Sequence, residues 1–265
     1  VNIGAPASQG PFDFLLLKAY RGLMRILVLS DIHANLTALE AVLSDAGDID
    51  ACWCLGDLVG YGPDPNQCIE RIRKLPNLVC ILGNHDAAAM GRIDTSSFNA
   101  EARQAIRWTQ DELTEGSRVF LDHLPEKTTA DHVTLSHGSP RHPVWEYLLD
   151  TRTAKKNFEY FDTPYCFVGH THLPVCFLLN EENETTRLVI PEPNTKMTIT
   201  PRAIINPGSV GQPRDRDPRA AYAIYDLEDS TWDYRRIEYD IAGVQERMYQ
   251  AGLPARHAQR LETGW

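Results

Sequence analysis

Seven side chains of metal-binding type stand in five short stretches of this chain: Asp31 with His33, Asp57, Asn84, His137, and His170 with His172. Carboxylate, amide oxygen and imidazole are donors that suit divalent transition metals. Side chains two apart in an extended segment point the same way, so Asp31 and His33, and likewise His170 and His172, can converge on one place. A carboxylate has two oxygens and can bridge two ions about 3.5–4 Å apart, the separation used in two-metal hydrolysis. That assigns Asp57 a bridging role.

What must position these groups is visible just upstream of each. Arg25–Leu29 runs into Ser30-Asp31-Ile32-His33, Ala51–Leu55 into Gly56-Asp57, and Leu78–Leu82 into Gly83-Asn84-His85-Asp86. His132–Leu135 runs into Ser136-His137-Gly138, and Tyr165–Val168 into Gly169-His170-Thr171-His172. Short apolar runs of this kind form buried strands, and the glycines that follow several of them let the chain turn. Leu36, Leu39, Val42 and Leu43 recur at helical spacing behind a capping Asn35, and a second helix is expected from Asn66 to Leu75. Repeated strand-helix alternation predicts an α/β fold with a mainly parallel sheet and its polar residues at one edge, where such sheets bind ligands.

Further along, Asn99–Leu124 reads as helical, with Ile106, Leu113 and Phe120-Leu121 as its apolar stripe, and another helix is expected near Thr153–Phe161. The texture then turns to short strands at Val175–Leu179, Arg187–Ile190, Ala203–Ile205, Ala221–Asp226 and Thr231–Tyr239. A capped helix from Asp240 to Gly252 is expected to close the chain. Asn206-Pro207-Gly208-Ser209 reads as an architectural turn beside the sheet edge.

Composition narrows the setting. Of 265 residues, 43% are hydrophobic, enough for a substantial core, and 36 acidic against 26 basic residues leave a net charge of -10. That balance argues against general adhesion to nucleic acid or anionic membrane. The six cysteines lack zinc-type pairing and dense disulfide spacing, so they are expected as buried free thiols in a reducing, cytoplasmic setting. No run reaches the roughly 18–20 apolar residues that span a bilayer, and Phe12–Leu17 lacks the basic flank of a signal peptide. Residues 1–23 are expected to be a poorly ordered extension ahead of a natural start at Met24, and 24–265 to form one domain.

The five motifs, Asp31-x-His33, Gly56-Asp57, Gly83-Asn84-His85-Asp86, Ser136-His137-Gly138 and Gly169-His170-x-His172, resemble in kind and order those of the calcineurin-like metallophosphoesterases, over about Met24 to Gly211. The pattern is similar to that of the compact bacterial phosphodiesterase-like branch. The resemblance implies a four-layer α-β-β-α sandwich of two mixed sheets flanked by helices. It also implies that Asp31, His33, Asp57 and His172 surround one ion and Asp57, Asn84, His137 and His170 the other. His85 would face the phosphate as a catalytic group and Asp86 would orient its ring. The expected reaction is in-line attack on phosphorus by a metal-bridging hydroxide, with His85 stabilising or protonating the departing oxygen. Four imidazoles favour Mn, Fe, Zn, Co or Ni over Mg or Ca. After Asp31, Asp57 and the hydroxide are counted against two divalent ions, about one positive charge is left to attract a phosphate ester.

The sequence departs from the family's Ser/Thr protein phosphatases at the second motif. Those read Gly-Asp-x-Val-Asp-Arg-Gly, whereas Gly60 and Tyr61 stand here in place of Asp and Arg. The guanidinium that grips a phosphomonoester is missing, which favours phosphodiester or small phosphorylated substrates. The alternatives are a phosphomonoesterase or protein phosphatase, and a non-catalytic scaffold of the same fold. Arg141 is a candidate for the missing grip, and Trp145 or Tyr61 for stacking on a base or aryl group. Capping and packing are the simpler readings of all three.

Overall fold

Arg25–Leu29 forms β1, whose last four residues are fully buried. Its side chains alternate between two cores, as the period of a strand requires. Ile26 and Val28 face one hydrophobic cluster while Leu27 and Leu29 face another. The computed structural model describes residues 24–96 and 98–265. The expected extension over 1–23 lies outside the described residues.

After β1 come α1 (Leu36–Ala46), β2 (Ala51–Cys54), α2 (Pro65–Ile72), β3 (Val79–Cys80) and α3 (Asn84–Ala89). Asn35 caps α1 by accepting from Ala38 N at 3.0 Å. The helical stretch that follows is two helices, α4 (Ala100–Glu112) and α5 (Glu115–Asp122), because Leu113 turns extended and ends one and Thr114 caps the next. Then follow β4 (Lys127–Ala130), β5 (Val133–Ser136), α6 (Thr151–Asn157) and β6 (Tyr165–Phe167). The β-rich part supplies β7 (Pro174–Asn180), β8 (Thr185–Val189), β9 (Thr195–Thr198), β10 (Ala203–Pro207), β11 (Ala220–Asp226) and β12 (Thr231–Ile237). Asp240 caps α7 (Ile241–Gln250), but α8 (Ala255–Thr263), not α7, is the last helix.

The strands form two six-stranded mixed sheets, in the orders β3-β2-β1-β11-β12-β9 and β4-β5-β6-β10-β7-β8. Their facing sides share a core of aliphatic and aromatic side chains. Phe167 from one sheet meets Trp232 from the other edge-on, with ring centroids 4.9 Å apart. The outer side of the first sheet packs on α1 and α2, and that of the second on Phe158, Phe161 and Ala154. This is the expected sandwich of two mixed sheets flanked by helices. A further cluster joins Tyr61 and Ala88 to apolar residues of α4, α7 and α8. No helix among the described residues is long and apolar enough to cross a membrane. All six cysteines are free and buried.

Candidate metal centre

The parallel strands β1, β2 and β3 of one sheet and β5 and β6 of the other deliver their following residues to one place. The backbone there bends tightly: Asp31, His33, Asp57, His170 and His172 all have positive φ, of 53°, 47°, 53°, 66° and 59°. Left-handed conformations cost a non-glycine residue about 1–3 kcal/mol each, and they persist where surrounding structure over-determines them. Here the loops brace one another. Asp31 N donates to Gly56 O at 3.1 Å, His33 N to Asp57 O at 2.9 Å, and Gly169 N to His137 O at 2.8 Å. Asn206 donates to Gly169 O at 2.7 Å and Ser209 to Asp31 O at 2.8 Å, so the Asn-Pro-Gly-Ser turn does hold the edge together. Gly83 leaves room for Asp57, since a Cβ there would lie 2.1 Å from Asp57 Oδ1.

All seven expected ligands are buried and face one another. Asp31, His33 and His172 bring ligand atoms within metal-binding reach of each other, and Asp57, His137 and His170 do the same. Asp31 Oδ1 lies 3.2 Å from His172 Nε2 and 3.7 Å from His33 Nε2. Asp57 Oδ2 stands between the groups, 3.7 Å from His33 Nε2 and 3.3 Å from His137 Nε2. Asn84 Oδ1 is 3.0 Å from His137 Nε2, on the second group's side.

The hydrogen bonds decide which ring nitrogens are free. His33, His137 and His172 direct Nδ1 at the carbonyls of Val59, Leu55 and Gln212, at 3.1, 2.8 and 2.5 Å, and so donate there. In the neutral tautomer this leaves each Nε2 with a lone pair, yet His33 Nε2 and His172 Nε2 sit 3.1 Å apart. Two lone pairs at that distance repel unless a cation serves both. Asp31 Oδ1, Asp57 Oδ2 and His170 Nε2 are likewise buried without a hydrogen-bond partner among the described residues. Unpaired buried donors of this kind fit a divalent metal, and backbone carbonyls on the distal ring nitrogens are its usual second support.

The electrostatics agrees. Burial pushes Asp31 up to about 6, with Asp57 adding to it and His137 opposing. Burial also acts to raise Asp57, but His137 and His85 outweigh it and hold the carboxyl well below its ordinary range. His33 and His172 are driven well below the usual imidazole value, chiefly by burial. Burial acts the same way on His137, but Asp57 and Asp31 overcome it and hold the ring up at about 10. A proton on His137 thus supplies positive charge that the carboxylates demand, and metal binding would have to release it.

His85 lies beside this cluster. Its N–H donates to Asp57 Oδ1 at 2.8 Å, its ring meets His33 edge-on at 4.8 Å, and its Nδ1 is buried without a partner. Asp86 does not orient that ring. Its two oxygens accept from Val59 N at 3.1 Å and Gly83 N at 3.0 Å, and so fasten the turn entering α3 to the loop after β2. A carboxylate three residues into a helix with free N–H groups at its start is drawn to those donors. Asp86 thus joins these two loops through their backbone.

Arg141 is committed elsewhere: Glu146 takes its guanidinium through two contacts. Trp145 lies edge-on to Phe98, and Tyr61 is packed among His33, His85 and His257. Three side chains that sequence reasoning did not single out border the cluster instead. Tyr147, half of its surface exposed, stacks on His170 with centroids 3.9 Å apart. Gln212, whose carbonyl holds His172, has its side-chain oxygen 3.0 Å from Arg214 Nη2. Arg214 Nη2 also reaches the Tyr61 hydroxyl at 3.5 Å. Gly211 and Gln212 follow one residue after the Asn-Pro-Gly-Ser turn, whose place beside the sheet edge was the local sign that this segment approaches the site.

Comparison with known proteins gives the family. Residues 24–230 match the calcineurin-like phosphoesterase superfamily domain. The chain is 40% identical to an uncharacterized protein of Methanocaldococcus jannaschii over 246 residues, covering 90% of this chain and 98% of that one. The crystal structure of a metallophosphoesterase from Sphaerobacter thermophilus is similar at 47% identity and a TM-score of 0.85, covering 92% of this chain and all (100%) of that one. A shorter segment of 67 residues is 37% identical to a symmetrical bis(5'-nucleosyl)-tetraphosphatase of Pectobacterium carotovorum, covering 24% of each chain. With its two facing mixed sheets and its buried Asp/His cluster, this chain belongs to the calcineurin-like phosphoesterase superfamily.

Proposed function

We propose that this protein is a dinuclear metal-dependent phosphoesterase that hydrolyses phosphodiesters or small phosphorylated substrates. The observation that carries this reading is the buried, unpartnered Asp57 Oδ2 placed between His33 Nε2 at 3.7 Å and His137 Nε2 at 3.3 Å. Asp31, His33, Asp57 and His172 would hold one transition-metal ion and Asp57, Asn84, His137 and His170 the other, with Mn, Fe, Zn, Co or Ni suited to the donor set. Such a pair of ions, when bound, supplies an activated water and Lewis-acid polarisation of the phosphoryl oxygens.

The chain's own residues do the rest. Asp57 keeps both ligand groups in register because its other oxygen is anchored on His85 N. His85 serves the departing oxygen. Burial chiefly pushes its ring down to about 4, so near neutrality it acts as a neutral hydrogen-bond donor and not as a stored imidazolium. The burial of the cluster excludes bulk water, which strengthens each of these interactions. Residues 24–265 work as one domain in this reading, since α7 and α8 pack against Tyr61 next to the site. Six buried free thiols suit a reducing, cytoplasmic setting.

Gly60 and Tyr61 in place of Asp and Arg speak against protein phosphatase activity. The short similarity to a bis(5'-nucleosyl)-tetraphosphatase makes dinucleoside polyphosphates a substrate class to include. The test is metal-free protein reconstituted with Mn, Fe, Co, Ni or Zn and assayed on bis-(p-nitrophenyl) phosphate, p-nitrophenyl phosphate and a dinucleoside tetraphosphate. Two metal equivalents per chain and faster diester than monoester hydrolysis are expected. Metal binding without hydrolysis of any substrate would favour the scaffold reading.

A further inference from the structure

We infer that Arg214 supplies the positive grip on the substrate's phosphoryl oxygens that the second motif lacks. This rests on the phosphoesterase reading above and names the residue that binds the anion.

The argument begins with what Arg214 is not doing. Its neighbours in the same segment are engaged in ion pairs: Asp215 with Arg236, and Asp217 with Arg219 and Arg236. Arg214 itself has no carboxylate within ion-pair distance among the described residues. Its Nε is buried and without a hydrogen-bond partner. A half-buried guanidinium with an open donor and no carboxylate beside it is costly unless an anion comes to meet it.

Its position is set by the metal centre itself. Gln212 holds His172 through its backbone carbonyl at 2.5 Å, and Arg214 follows two residues later. The guanidinium is then fixed by neutral acceptors, Gln212 Oε1 at 3.0 Å and the Tyr61 hydroxyl at 3.5 Å, and lies over the Tyr61 ring at 5.9 Å. Neutral partners orient a charge without cancelling it. The Tyr61 ring that carries Arg214 packs in turn against His33 and His85, with ring centroids 4.7 and 4.3 Å away, so the guanidinium lies beside the ligand cluster. Gln212 Nε2 is a second buried donor without a partner beside it.

A guanidinium with its Nε–H still open can donate to a non-bridging oxygen of a phosphoryl group. Tyr61, at the position where the protein phosphatases carry arginine, is thereby the support for an arginine that arrives from a distant part of the chain. The ligand class is a phosphate ester whose transferring phosphoryl group presents two free oxygens.

The test uses the metal-loaded protein, with Arg214→Gln and Arg214→Lys as variants. Two readouts are needed: inhibition or direct calorimetric binding of inorganic phosphate, and bound metal per chain. Arg214→Gln is expected to weaken phosphate binding roughly 10–100-fold with metal content unchanged, and to lower kcat/KM for bis-(p-nitrophenyl) phosphate by a similar factor. Arg214→Lys, which keeps charge but loses the fork, should fall between. An active wild type whose phosphate affinity is within twofold in both variants overturns the inference and leaves the phosphoesterase reading intact. If the wild type hydrolyses none of the substrates, that reading fails, and calorimetric phosphate binding still decides the role of Arg214. A loss of metal in both variants would make Arg214 a structural support of the centre and overturn its role as anion ligand.

Discussion

At the residue scale, Asp57 and His85 make different demands on experiment. Asp57 lies between two groups of donors, so Asp57→Asn should reduce bound metal to one equivalent or fewer and lower kcat/KM by at least ~1,000-fold, both read on the same preparation. His85→Ala should leave metal content intact while kcat falls roughly 100- to 10,000-fold, as expected of a group acting on the departing oxygen. An unchanged kcat would remove His85 from the chemistry. Gly60 ties the two together. Its φ is +89°, and a Cβ there would lie 2.5 Å from His85 Nδ1. Gly60→Ala is therefore expected to displace the His85 ring and lower kcat, with metal binding retained and a stability cost of about 1–3 kcal/mol in urea unfolding. The absence of aspartate at position 60 is thus as much a matter of space as of charge.

At the element scale, the segment after β5 is held by Glu146, which accepts from Ser139 Oγ at 2.7 Å and Asn157 Nδ2 at 2.8 Å and pairs with Arg141. This carries Tyr147 to its stacked position on His170. Partial burial acts to raise the Glu146 carboxyl, but the hydrogen bonds from Arg141, Ser139 and Asn157 outweigh it and hold it down at about 2. A carboxyl depressed on folding stabilises above its unfolded value, near 4.5, and loses that contribution as pH falls toward 2. Glu146→Gln should accordingly lower stability by roughly 1 kcal/mol at pH 7, after allowance for solvent screening, and the gap from wild type should close between pH 4.5 and 2. Paired thermal melts across that range check it; a gap independent of pH would mean that packing, not charge, is what Glu146 contributes.

At the scale of the whole molecule, the two sheets meet through a core whose edge is the ligand cluster, so the site and the sandwich share their stability. Chelation of metal should lower Tm, and titrating Mn or Zn back should raise it progressively with free metal concentration, the unfolding free energy gaining about 2.7 kcal/mol at 100 times Kd. A Tm indifferent to metal would contradict the assigned centre. Trp232, fully buried against Phe167 and Tyr225, tests the core in turn. Trp232→Ala should cost about 3–5 kcal/mol through the cavity it leaves.

The amino-acid sequence by itself determined the donors and most of the elements that carry them, because each of the five donor stretches follows an apolar run within a few residues. Strand, turn and ligand are local features, and Asn35, Asn99 and Asp240 cap their helices as the pattern requires. β4 and β9 escaped notice because they are short strands without an apolar run, and α8 because its apolar face is narrow. Only the tertiary structure decided what surrounds the donors. It sets Arg214 against Tyr61 across 153 residues of chain, commits Arg141 to Glu146, and turns the Asp86 oxygens to the backbone of two loops. The physical reason is that a charged side chain takes its role from the partner that neutralises it or fails to. Such partners meet through loops whose approach no local periodicity encodes.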